Sequence, residues 1–135
     1  MIRYETGNEL DPDLFIDLYR ASTLGERRPV NDRERMLAML RNCNLLISAW
    51  EGPLLVGLAR SLTDFAYATY VSDLAVRLSH QKGGIGRELL RRTAEQTAPA
   101  TLILLSAPAA TGYYPRVGFS PHPSAWILPA GSSLR

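Results

Sequence analysis

Cysteine is almost missing from this chain of 135 residues, and histidine is scarce. The single Cys43 excludes an internal disulfide and any multi-cysteine metal site, and its expected role is that of a small packed hydrophobe. The only histidines, His80 and His122, do not share a helix face, so no metal site is expected. Charge of one sign is lacking too. A net charge of +2, with the basic residues spread along the chain, gives no polybasic tract and no case for nucleic acid as a partner. The start, Met1-Ile2-Arg3-Tyr4-Glu5, has no apolar stretch of the signal-peptide kind. The longest apolar region, 45–59, is broken by Glu51-Gly52-Pro53 and is too short to cross a bilayer as a helix. These absences predict a cytoplasmic protein with no membrane partner.

What is present suits one domain spanning 1–135, with 46% hydrophobic and 21% charged residues. A strand is predicted at 2–5. Asp11-Pro12 opens a helix running to about 24. After a loop at 25–29, Asn31 and Glu34 have the spacing of a capping box for a second helix. Runs at 45–50 and 54–62 read as a hairpin about Glu51-Gly52-Pro53, with Gly57 marking a bulge or a close neighbour. A strand at 67–76 precedes a helix to about 96, whose apolar face is Ile85, Leu89, Leu90 and Ala94. The apolar run 101–106 suits a strand buried on both faces. A helix at 109–117, bent by Pro115, and a last strand at 124–128 complete the order β-α-α-β-β-β-α-β-α-β, an α+β (mixed α/β) domain.

The most informative stretch joins strand 67–76 to the following helix through Gln81-Lys82-Gly83-Gly84-Ile85-Gly86. Glycines let the backbone approach a bulky group, and a helix N-terminus favours an anion, so a phosphate-bearing cofactor is predicted here. The run is not a Walker loop, and Leu89 stands where a dinucleotide fingerprint needs its third glycine.

The pattern strand–[Q/R]-x-x-G-x-G–helix, with Gln81, Gly84 and Gly86 in place, resembles the acetyl-coenzyme A signature of the GNAT superfamily of N-acyltransferases. Asp73-Leu74-Ala75-Val76 looks like that family's fourth strand. Tyr113-Tyr114-Pro115-Arg116-Val117-Gly118-Phe119 is similar to its aromatic-Tyr-x-x-x-Gly-Phe segment after the fifth strand. The resemblance covers nearly the whole chain and implies a mostly antiparallel mixed sheet with splayed fourth and fifth strands and helices on both faces.

The resemblance also implies a set of roles. Gln81, Lys82, Gly83, Gly84, Ile85, Gly86 and Arg87 would hold the pyrophosphate of acetyl-coenzyme A, the expected cosubstrate. The backbone of Leu74, Ala75 and Val76 would pair with its pantetheine arm, as strand addition by a ligand. Tyr114 would protonate the leaving thiolate; a phenol of pKa about 10 can serve a thiol of pKa about 8.5. Asp73 is the leading candidate base, with Glu5 and Asp64 behind it. The family's cofactor-contacting Asn is replaced by Ala107. The expected function is transfer of an acetyl group to the amine of a small molecule or peptide by direct attack. The alternative is a non-catalytic coenzyme A-binding or regulatory module. Arg27 and Arg28 suggest an acceptor with a carboxylate or phosphate, and the chain is expected to be a monomer or homodimer.

Overall fold

Most of the apolar runs become strands, and the computed structural model describes residues 1–135 in two units, Met1–Leu105 and Ser106–Arg135. In the first unit β1 (Arg3–Thr6), β2 (Leu45–Glu51), β3 (Leu54–Thr63), β4 (Ala68–Val76) and β5 (Thr101–Leu104) form one sheet in chain order. The first three pairings are antiparallel, and β4 with β5 is parallel. β4 meets β5 only over four pairs, from Ala68↔Thr101 to Val71↔Leu104. β5 ends at that last pair, so residues 72–76 of β4 run on without a β5 partner. No helix is long and apolar enough to cross a membrane.

Two apolar layers cover the sheet. α1 (Pro12–Arg20) and α2 (Arg33–Asn42) bury Phe15, Leu18, Tyr19, Met36 and Leu40 against Leu46, Leu55 and Leu58 of one face. α3 (Ile85–Thr97) buries Ile85 and Leu89 against Ile47, Ala49, Val56 and Ala59 of the other. Each such side chain contributes about 1.5–3 kcal/mol by leaving water. Gly57 makes the second contact possible. A Cβ there would lie 3.0 Å from Ile85 Cγ2 and 3.2 Å from Leu89 Cδ1. A bulge is present as well, because the β2–β3 register shifts between Ala49 and Trp50.

Helix ends differ from the sequence expectation in instructive ways. Asp11 caps α1 through the Asp13 N–H, as expected, but the helix stops at Arg20 and a 3-10 turn, Thr23–Glu26, follows a new cap at Ser22. α2 is capped by Asp32, whose carboxylate accepts from the Arg35 N–H. Asn31 instead accepts from Arg20. On α3 Ala94 is exposed, whereas Thr93 and Thr97 are buried. Their hydroxyls donate to the carbonyls four residues back, which removes the cost of burying them. Cys43 is buried at the end of α2. β5 is an edge strand, not one buried on both faces: it stops at Leu104 and leaves Ile103 52% exposed.

The second unit holds a 3-10 turn, Pro108–Ala110, and the single helical turn α4 (Tyr113–Arg116). A helix over 109–117 does not form, because Pro115 inside it would lack a needed N–H and clash with the preceding turn. Starting at Tyr113 places Pro115 in the first turn, where the N–H has no helical partner anyway. Tyr114 packs edge-on to Tyr113 and Phe119, with ring centroids 5.2 and 5.6 Å apart. The strand expected at 124–128 is also absent. That window is bracketed by Pro123 and Pro129, has no paired strand, and leaves Trp126 90% exposed.

Candidate active site

The glycine loop has backbone geometry that suits an anion. A 3-10 turn, Leu78–His80, leads from β4 into it. Lys82 and Gly84 both take left-handed backbone, at φ +68° and +85°. Gly84 is the N-cap of the 13-residue α3 and brings no capping side chain. The first-turn N–H groups of a helix have no partner inside it, and the helix dipole makes this end positive. A Cβ at Gly84 would meet nothing within 4 Å, so the space beside the loop is open. Lys82 and Arg87 are exposed here and form no salt bridge, whereas Arg91 and Arg92, further along α3, are held by Glu88 and Glu95. The residues present therefore fit a diphosphate. Gln81 does something else. Its Nε2 donates to the Val76 carbonyl at 3.1 Å and ties the loop to the end of β4.

β4 supplies the second feature. Residues 72–76 pair with β3 on one edge and have no β5 partner on the other. The Arg77 N–H donates to Val56 of β3, so backbone alternation turns Ala75 toward β3 and Leu74 and Val76 toward the open edge. Of the three residues expected to pair with a pantetheine arm, Leu74 and Val76 have the required direction. Ala75 does not, because its backbone faces the β3 ladder.

Asp73 stands at a bulge. The β3–β4 register shifts between Arg60↔Asp73 and Ser61↔Val71, leaving Ser72 as the extra residue. The carboxylate turns inward, where it is buried. Its Oδ2 accepts from Arg60 Nε at 2.6 Å and from the Tyr19 hydroxyl, and its Oδ1 accepts from Arg28 Nε at 2.6 Å. Burial pushes the carboxyl pKa up, but the Arg60 charge and hydrogen bond, the Arg28 charge and the Tyr19 hydroxyl outweigh it and hold the group below the usual carboxylate value. Burial, then the Asp73 charge, push the Tyr19 phenol well above its ordinary value. Asp73 is thus an engaged anion, and this geometry does not suit the proton acceptor expected from the sequence. Glu5 pairs with Arg3, and Asp64 accepts three backbone N–H groups of its own turn.

Tyr19 and Arg60 escaped the sequence reading. Arg60 carried a signal: a cation inside the apolar run of β3 needs a buried partner, and Asp73 is the carboxylate of the adjoining strand. Nothing in the sequence distinguished Tyr19 from a packing aromatic of α1. A hollow of about 340 Å3 beside α1 is lined by Asp13, Asp17, Arg20 and Arg33. Asp13 is paired with Arg33 and Asp17 with Arg77, while Arg20 donates to the Val30 carbonyl and Asn31 Oδ1 without a carboxylate partner.

In the second unit, Tyr114 is half-buried between Tyr113 and Phe119. Burial, then Tyr113, raise its pKa, so the phenol keeps its proton at neutral pH.

Comparison with known proteins agrees with this architecture. No curated protein matches the chain. Among solved structures, a GNAT-family acetyltransferase of Streptococcus pneumoniae is 23% identical, covers 95% of this chain and 98% of its own, and superposes with a TM-score of 0.74. A probable acetyltransferase of meticillin-resistant Staphylococcus aureus is 18% identical over 95% of this chain and 97% of its own, with a TM-score of 0.77. An aminoglycoside acetyltransferase from an uncultured soil metagenome, solved with sisomicin, is 18% identical over 99% and 97%, with a TM-score of 0.71. These likenesses establish the fold. The family model described as an acetyltransferase (GNAT) domain matches residues 26–130, well over half of the sequence, and the chain belongs to the GNAT acetyltransferase family.

Proposed function

We propose that this chain transfers an acetyl group from acetyl-coenzyme A to the amine of a small molecule or peptide by direct attack, working in the cytoplasm. The observation that carries the reading is the uncapped, left-handed Gly84 start of α3 together with a β4 edge that has no β5 partner beyond Val71. The amides from Lys82 to Arg87 would hold the diphosphate, with Lys82 and Arg87 adding charge. The backbone groups of Leu74 and the Val76 N–H, turned away from β3, would orient the pantetheine arm, the Val76 carbonyl being already held by Gln81. When bound, acetyl-coenzyme A supplies the thioester: the amine nitrogen bonds to the acetyl carbon, the carbon–sulfur bond breaks, and the thiolate takes a proton. Tyr114, protonated at neutral pH, is the proposed donor of that proton. Positioning two reactants provides most of the acceleration, so no strong base on the protein is required, and water carries the amine proton away.

The test is release of free thiol from acetyl-coenzyme A across a panel of amines, run beside calorimetry with coenzyme A. Tyr114→Phe is expected to slow thiol release about 100-fold while the calorimetric affinity for coenzyme A stays within about twofold. Full turnover in that variant would remove Tyr114 from the mechanism. Coenzyme A binding without thiol release for any amine would leave a binding module, and absence of both would end the acyltransferase reading.

A further inference from the structure

The cluster around Asp73 has more positive charge than it uses. Two guanidiniums, Arg28 and Arg60, share one carboxylate, and Tyr19 stays neutral. Arg60 is sealed in, its side chain 9% exposed, with Nε, Nη1 and Nη2 directed to Asp73, the Met39 carbonyl and Ser72 Oγ. Arg28 is different. Its side chain is 22% exposed. Nε donates to Asp73 Oδ1, Nη2 to the Ser72 carbonyl at 2.9 Å and Nη1 to the Arg27 carbonyl at 2.9 Å. A guanidinium has five N–H donors, so two remain, one on each terminal nitrogen. The surplus unit of charge therefore sits on a partly exposed side chain that three hydrogen bonds immobilise and that keeps two donors over.

Its location matters. Arg28 grips Ser72, the bulge residue and the first residue of β4 past the last pairing with β5. The segment carrying Arg28 is itself fixed: a Cβ at Gly25 would lie 2.7 Å from the Tyr19 carbonyl, so the preceding turn packs backbone against backbone on the end of α1. An immobilised guanidinium with two donors left, beside the stretch of β4 that β5 does not pair, suits a carboxylate or phosphate, which guanidinium groups bind through both oxygens. A cation without an anion of its own is disfavoured beside a net positive cluster.

We propose that Arg28 is the residue that selects the acceptor, binding an oxyanion, carboxylate or phosphate, on the molecule whose amine is acetylated. Amino acids, acidic peptides and phosphoamines are then the favoured acceptors, and polycationic amines such as aminoglycosides are not. This rests on the acyltransferase reading above and narrows it. Asp73 acts through Arg28 as a positioning residue.

The experiment measures thiol release with matched acceptors, glycine against glycinamide for the carboxylate and phosphoethanolamine against ethanolamine for the phosphate. The expected result for the unaltered chain is a higher kcat/KM for the anionic member of at least one pair, and the pair that shows it names the oxyanion. In Arg28→Gln that anionic-to-neutral ratio is expected to fall about 10- to 100-fold, mainly through KM. Arg28→Lys keeps the charge beside Asp73 but loses the guanidinium, so the ratio falls there as well, by less. Should the glutamine variant not fold, the lysine variant decides. A preference of the unaltered chain for the neutral members, or a ratio untouched in the variants, overturns the proposal and leaves the acyltransferase reading standing. Thiol release from none of the four acceptors, with other amines active, also overturns it alone. Silence with every amine overturns both.

Discussion

Around Asp73 two arginines meet one buried carboxylate; around Gly84 a lysine and an arginine stand by none. The first group holds the protein together. Asp73 and Arg60 are out of water, and all three charges hydrogen-bond within the chain. The second group contributes little to the fold, because exposed and unpaired cations are solvated whether or not the chain is folded. The difference teaches how to separate structural charge from ligand charge when both lie along one strand. Charge satisfied by the chain is structural, and charge left open beside uncapped backbone donors is available to a ligand. Arg28 lies between the two, anchored like the first group and partly open like the second.

The comparison breaks most visibly at Asp73. Asp73→Asn leaves Arg60 buried without its counter-charge and is expected to lower unfolding stability by about 3–5 kcal/mol, read from urea denaturation. The pH dependence has a definite sign. The folded pKa of Asp73 lies below the unfolded one, so its pairs stabilise fully above about pH 4 and that stabilisation is lost as pH falls through the lowered folded value. Acidification below about pH 4 should therefore lower the urea midpoint of the native chain more than that of the Asn variant.

The opposite response is expected at the loop. Gly84→Ala forces a side chain into left-handed backbone and should cost about 1 kcal/mol of stability while weakening coenzyme A binding about tenfold or more by calorimetry. Gly52→Ala, at φ +56° in the β2–β3 turn, imposes similar strain and should leave coenzyme A affinity unchanged. Equal affinity in both variants would deny the loop its role. A smaller effect separates the cations of the α3 region. Lys82→Gln and Arg87→Gln should each weaken coenzyme A binding about three- to tenfold, less at high salt, whereas Arg91→Gln, which removes a partner of Glu88 and Glu95, should not. The smallest concerns Glu88, whose pKa is lowered to about 2 by hydrogen bonds from Arg91 and Arg92. Its pairing is complete above about pH 4.5 and lost as pH falls toward 2. Because these pairs lie at the surface of α3, with Arg91 half-exposed, Glu88→Gln should shift thermal unfolding at neutral pH very little.

Local chemistry made much of this legible in advance. The five strands, the three long helices, the hairpin about Gly52 and the glycine loop all follow from apolar periodicity, Asp and Pro at helix starts, and glycine where φ is positive. Two motifs in the right order identified the family, because backbone conformation at Gly84 and the aromatic turn at 113–119 are written in neighbouring residues. The shortcomings have physical causes. The apolar stretch 124–128 reads like a strand, but a strand needs a partner, and periodicity does not supply one. Ala94 and Thr93 exchanged places because a threonine can satisfy its hydroxyl on its own helix.

By itself, then, the sequence determined most of the helices and strands, the glycine turn into α3 and the family to which the chain belongs, since these depend on residues within a few positions of one another. Tertiary structure alone decided the fate of Asp73. Whether a carboxylate is free to take a proton or is held by Tyr19, Arg28 and Arg60 depends on residues 54, 45 and 13 positions away, and on a bulge at Ser72 that sets which way the side chain points. It also decided that the Ala75 backbone faces β3 while that of Leu74 and Val76 faces the edge without a β5 partner, because the direction of a strand's backbone groups is fixed by the neighbour it pairs with.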